Sequence, residues 1–298
     1  MSSILLNRPC VAAIECGYAA DVPPIRLGAF TPSVLLRVAR RLGHLDVTEA
    51  LVPSSPAQFR ALLDGAYDAV LTSPDNVLAY RYSPVNPLGV TAPVAMVSAV
   101  DRGMGLALYA RRTDLRGARF AVDVPGSGFA FAMYALAESL GLGRDDYEVV
   151  ALGSTPKRLR ALLAGECDAT MLNAGNELHA EAAGVEAVAR VSEICHPYLG
   201  TVLAALDPAA IGGLAAALTA TAEAVVAGRH ADLVVEEAMT ALSLDRPLAL
   251  RYLDRLRSPA EGLVPDGVVD KSSLRTLVNL RRRFGPSLDG DPLAAALQ

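Results

Sequence analysis

Nowhere in the 298 residues do Lys and Arg form a dense run, and the formal net charge is -5, which argues against a nucleic-acid surface. The one basic cluster, Arg281 to Arg283, reads as the solvated face of a last helix. Cysteine is also sparse: Cys10, Cys16, Cys167 and Cys195 show neither CxxC spacing nor a regular framework, so they read as buried free thiols, not as a zinc site or a disulfide scaffold. No apolar run reaches the roughly 18 residues of a membrane span. The opening MSSILLNRPCVAAIECGYAADVPP lacks the grammar of a secretory signal, because Asn7, Arg8 and Pro9 break its first apolar patch and Glu15 sits inside its second. On that ground the expected location is cytoplasmic, or extracytoplasmic if the true start lies elsewhere. Residues 1–24 read as a short extra strand or arm. His44, His179 and His230 have no metal-like spacing with carboxylates, and neither a metal nor a cofactor is expected.

What the chain does have is 52% hydrophobic and 20% charged residues, the balance of a well-packed protein long enough for two domains. It also repeats itself. RALLDGAYDAVLTSPDN, Arg60 to Asn76, returns as RALLAGECDATMLNAGN, Arg160 to Asn176, with no insertion between matching positions. A spacing of 100 residues is too wide for a solenoid and fits two lobes of similar build. Each copy reads as the last turns of a helix, a glycine stop at Gly65 or Gly165, and an Asp-Ala turn into a short buried strand, Ala69 to Thr72 or Ala169 to Leu172. Ligands in open α/β sheets bind beyond the carboxyl ends of strands, so Ser73, Asp75 and Asn76 should face Asn173 and Asn176 across a shared cleft.

The same alternation runs through the rest of the chain. Strands are expected at Ile25 to Phe30, Leu45 to Val52, Arg119 to Val122 and Tyr147 to Ala151. Helices are expected from the Thr31-Pro32-Ser33 start, at Pro56 to Leu63, Asn76 to Tyr80, Gly128 to Leu140 and Pro156 to Leu163. Val191 to Leu206 reads as extended and apolar, and the tail as four helices: Ala209 to Ala227, Ala231 to Leu242, Pro247 to Leu256 and Lys271 to Phe284. The strand-to-helix loop Asp123 to Gly128, DVPGSG, lets backbone amides approach an oxygen-rich or anionic group, and it occupies in the second half the place of GAFTPS in the first.

Taken together, DLRGARFAVDVPGSGFAF, the doubled Gly-x-x-Asp-Ala elements, LTSPDNVLAY, HPYLGTV and EGLVPDG resemble the type II periplasmic substrate-binding proteins of the alkanesulfonate, nitrate and pyrimidine-precursor group, over roughly Pro24 to Phe284. The resemblance implies an α/β bilobal fold, two lobes joined by two crossover strands, with a helical C-terminal segment. It places lobe 1 at 1–110 plus 203–298 and lobe 2 at 111–202. It further implies a small polar or anionic organic ligand in the cleft, and a permease partner if the chain is exported. Cytosolic enzymes also use this fold, so a dehydratase, decarboxylase or cyclase acting on a small organic acid is the alternative. The pyrimidine synthase of thiamin biosynthesis is disfavoured, since the only lysines are Lys157 and Lys271 and there is no cysteine cluster.

The candidate ligand contacts are Phe30, Thr31 and Ser33, Ser73, Asp75 and Asn76, Ser127, Gly128 and Phe129, Asn173 and Asn176, and Tyr198. Several have a plainer reading beside the functional one. Ser33 serves equally as a helix cap, Asp75 as the cap of the next short helix, and the asparagines as turn residues. For an enzyme the proton-transfer candidates are Asp123 and His196, whose plainer roles are bracing a loop and packing a hinge. Ser127 has no visible Ser-His-Asp partners.

Overall fold

The computed structural model describes residues 24–295, so the expectations for residues 1–23, with Cys10 and Cys16, lie outside the described residues. Ten strands divide into two five-stranded sheets. The first sheet contains β1 (Ile25–Ala29), β2 (Val47–Leu51), β3 (Ala69–Thr72), β4 (Ala95–Asp101) and β10 (Thr201–Ala205), ordered β2-β1-β3-β10-β4. The second contains β5 (Ala107–Ala110), β6 (Arg119–Val122), β7 (Glu148–Ala151), β8 (Ala169–Leu172) and β9 (Glu186–Arg190), ordered β7-β6-β8-β5-β9. In each sheet four strands run one way and one runs against them, β10 between β3 and β4 in the first and β5 between β8 and β9 in the second, so both lobes have the same topology.

The chain crosses between the sheets twice, from β4 to β5 and from β9 to β10. β5 pairs in the second sheet although the sequence boundary at 110 puts it in lobe 1. The return crossing is not wholly extended: it opens on the short helix α7 (Val191–Ile194), because the Leu106 carbonyl accepts the Val191 amide and the chain turns there.

Helices follow the parallel strands. α1 (Val34–Arg41), α2 (Ser55–Leu63) and α3 (Pro74–Tyr82) serve the first sheet. α4 (Gly128–Ser139), α5 (Thr155–Ala164) and α6 (Asn176–Ala182) serve the second. The tail consists of α8 (Gly212–Val226), α9 (Ala231–Leu242), α10 (Arg246–Arg257), α11 (Lys271–Phe284) and α12 (Pro292–Ala295). The expected stop glycines behave as the turn requires, with φ of +69° at Gly65 and +77° at Gly165, where a side chain would be strained. Asp68 and Asp168 repeat one brace: each carboxylate accepts the amide that begins the neighbouring strand, Arg26 or Arg119, at 2.8 Å.

One helix of the tail reaches both lobes. α11 packs on α3 and α4, and its Arg281 is buried, donating to both oxygens of Asp75 at 2.7 and 2.5 Å. This corrects two expectations. Arg281 is no solvated residue, although Arg282 and Arg283 are exposed, and Asp75 does not cap α3, whose cap is Ser73 accepting from the Asp75 amide. An amphipathic helix turns about 100° per residue, so three consecutive arginines cannot share one face.

The two lobes touch over several further contacts. Arg255 on α10 pairs with Glu177 and Glu181 of α6, Arg251 pairs with Glu181, and His179 Nε2 lies 2.8 Å from the Leu242 carbonyl. Gly128, the first residue of α4, lies so close to Asp75 that a Cβ there would collide with the Asp75 side chain. Asp75 is itself held by Arg281 and cannot swing away. Gly128→Ala is therefore expected to push the lobes apart and to destabilise the protein by about 1–3 kcal/mol, the usual range for overpacking. Urea denaturation checks this; an unchanged midpoint would mean the contact is not tight.

Candidate functional site

Four helix starts converge where the lobes meet. Four of the parallel strands end in hydroxyl-bearing turns that meet there: Thr31-Pro32-Ser33 before α1, Thr72-Ser73 before α3, Ser127 before α4 and Ser154-Thr155 before α5. Ser33 accepts the Leu36 amide and Ser127 the Ala130 amide, so both cap their helices as the sequence suggests. The amides of Gly128 and Phe129, and those of Val34 and Leu35, have no partner among the described residues. First-turn amides and the helix dipole together favour negative charge at such positions.

Between these starts lies a cavity of about 130 Å³. Nine of the twelve candidate contacts line it: Phe30, Thr31, Ser33, Ser73, Asn76, Ser127, Gly128, Phe129 and Asn173. The strand tips of the two repeats thus face one space. Three candidates do not line it. Asp75 is turned to Arg281, the Asn176 amide donates to the Asn173 carbonyl at 3.0 Å, and Tyr198 is buried within the return crossing. The expected cleft role of these three gives way to packing, because each has found a protein partner or a dry core. Of the proton-transfer candidates, Asp123 lines the cavity, whereas His196 is exposed and outside it.

The residues that carry most of the charge were not among the candidates. Arg158, on the first turns of α5, is only 2% exposed and lines the cavity. Its Nε donates to Thr170 Oγ1 at 3.1 Å, Nη1 to the Gly153 carbonyl at 2.5 Å, and Nη2 to Thr155 Oγ1 at 3.1 Å and the Met171 carbonyl at 3.2 Å. Four of its five N–H bonds are thus committed to neutral oxygens, which leaves one on Nη1. No carboxylate forms an ion pair with it among the described residues. Burial pushes its pKa down to about 10, partly opposed by the charge of Asp123.

The repeat does contain a signal for this residue. Read a few positions before Arg60 and Arg160, it aligns Ser54-Ser55-Pro56 with Ser154-Thr155-Pro156, and Gln58 with Arg158. Gln58 is buried in the equivalent place, donating to the carbonyls of Gly28 and Leu71. The two lobes therefore share a socket that holds a neutral amide in one and a cation in the other.

Two carboxylates border the same space. Asp101, at the end of β4, accepts the Gly103 amide at 2.8 Å and is also hydrogen-bonded by Thr201; burial raises its pKa to about 6. Between its ordinary 3.8 and about 6 the folded protein keeps a proton that the unfolded chain has released, so this group's contribution to stability falls as pH rises through that window. Asp101→Asn is expected to remove that slope. Melting curves from pH 4 to 6 should show the wild type losing ground to the variant, and a constant difference between them would contradict the assignment. Asp123 differs: Oδ2 accepts the Ser55 amide across the lobes at 3.4 Å, but Oδ1 is buried without a partner.

Comparison with solved structures places this arrangement in a known architecture. An alkanesulfonate-binding protein, SsuA, from Xanthomonas axonopodis pv. citri, bound to MOPS, superposes with a TM-score of 0.72 over 94% of this chain and 99% of that one, at 17% identity. The chain has the type II periplasmic-binding-protein fold. A protein of Bordetella bronchiseptica RB50 gives 0.71 over 92% of this chain and 94% of that one at 18% identity. The periplasmic nitrate-binding protein NrtA from Synechocystis PCC 6803 gives 0.68 over 89% and 82% at 12% identity. No family model and no curated protein matches the sequence. Within this type II fold the cavity described above lies between the lobes, and among the described residues no helix is long and apolar enough to cross a membrane.

Proposed function

We propose that the chain is a solute-binding protein whose lobes close on one compact anionic organic molecule, its charged head set against Arg158. The observation that carries this reading is a buried guanidinium with no carboxylate partner. Among the described residues two arginines are buried, and the other, Arg281, has its counter-ion in Asp75. An ion held away from water needs a partner, and for Arg158 the cavity it lines is where one can enter. The free first-turn amides of α1 and α4 add donors for the same head group, and Phe30 and Phe129 offer apolar surface to the rest of the molecule.

Neighbouring folds support the same class of role: a structure from Staphylococcus aureus is the ligand-binding component of an ABC-type import system, and it matches at a TM-score of 0.69 and 12% identity. A chain working in that way would deliver its ligand to a permease. The division of lobes is proposed to follow the two crossings, with the helical tail attached to the first sheet and α11 straddling both. The enzyme reading has less to stand on, since His196 lies outside the cavity and leaves Asp123 without a second proton-transfer group of the pair expected.

Thermal denaturation against short sulfonates, carboxylates and pyrimidines at millimolar concentration tests the proposal. At least one anion class should raise the melting temperature while its neutral isostere does not. No shift from any anion would contradict it.

A further inference from the structure

We infer that the ligand is a short zwitterion, its anionic end on Arg158 and an ammonium or similar N–H donor on Asp123; this rests on the anion-binding reading above. The charges on the cavity wall are mixed: Arg158 is positive, and Asp101 and Asp123 are negative. The two carboxylates are not equivalent. Asp101 is satisfied by the Gly103 amide and Thr201, whereas Asp123 Oδ1 is buried and accepts nothing. A purely anionic ligand would fill the space beside that bare oxygen without neutralising it, and a buried carboxylate oxygen left unpaired costs about 1–3 kcal/mol or more. A donor on the ligand removes this cost.

Geometry sets how far apart the two ligand charges lie. Asp123 directly follows β6 and Arg158 lies on the helix that follows β7, and these strands are parallel neighbours with Val122 opposite Ala151. Neighbouring strands are about 4.8 Å apart. The Asp123 charge acts on the Arg158 guanidinium although no ion pair joins the two, so the two ligand charges lie close together. An acid carrying an amine near its head group meets this demand; a long ω-amino acid does not.

The selectivity is a difference between matched ligands, so the wild-type protein can report it directly. Titration calorimetry would compare 2-aminoethanesulfonate with ethanesulfonate, and β-alanine with propionate, on wild type and on Asp123→Asn. In at least one pair the amino compound should bind about tenfold or more tightly than its partner, the fold-change that a donor to a buried oxygen supports. Asp123→Asn should shrink that preference while leaving the des-amino compound bound as well or better. Equal or stronger binding of the des-amino compounds by wild type would overturn the inference while leaving anion binding intact. Failure of every one of the four to bind would count against the anion-binding reading and the inference together.

Discussion

Replacing Arg281 with methionine is expected to lower the unfolding free energy by about 3–5 kcal/mol, the cost of stranding a buried charge. Asp75 is fully buried, and both its oxygens rest on Arg281. In the variant the carboxylate keeps the dry surroundings and loses its counter-ion. The guanidinium also lies over the Phe131 ring, 4.9 Å from its centroid, so the methionine retains part of the packing and the loss is mainly electrostatic. Urea denaturation of Arg281→Met, Asp75→Asn and the double variant separates these contributions. The double variant should lose much less than the sum of the two single losses. Additive losses would mean that the pair is not what joins α11 to α3.

Arg158→Met should behave in the opposite way, with the larger effect on binding. Removing this cation relieves the burial of an unpaired charge but deprives the Gly153 and Met171 carbonyls of a donor, so the ligand-free protein should lose less stability than in Arg281→Met. Affinity for the anion should fall by about a hundredfold or more, equivalent to about 2.7 kcal/mol. Arg158→Lys should keep part of the affinity, because it retains the charge but not the fork that reaches Thr155 and Thr170. Calorimetry on the ligand found by thermal shift checks both. An Arg158→Met protein that folds and binds undiminished would remove the basis of the proposed function.

The contrast between these two arginines also shows what can be read from the chain alone. The repeat makes the lobes legible, since helix, glycine and Asp-Ala strand recur in register and fold into α2–β3 and α5–β8 as expected. The glycine-serine loop is equally plain, and Ser127, Gly128 and Phe129 do line the cavity. What escapes local reading is the pairing of charges. Asp75 and Arg281 are 206 positions apart, so no spacing rule links them, and Asp75 reads as a cap while Arg281 reads as surface.

Arg158 is hidden for a different reason. It stands in the repeat, opposite Gln58, but on an amphipathic helix an arginine looks solvent-facing until the packing shows it buried and in no ion pair. His196 fails the other way. Its place in the return crossing suggests a cleft residue, and the side chain is exposed instead. Which face a residue presents in a crossing depends on contacts made by both lobes, and neighbouring residues do not determine it.

The proposed function requires a ligand to supply the counter-ion that the chain withholds from Arg158. A crystal structure of the liganded protein tests it most directly. Electron density for a small molecule is expected in the cavity, with an anionic oxygen within about 3 Å of the free N–H on Arg158 Nη1 and others near the Gly128 and Phe129 amides. A ligand bound in the cleft with its anionic group turned away from Arg158, or bound elsewhere on the protein, would contradict it.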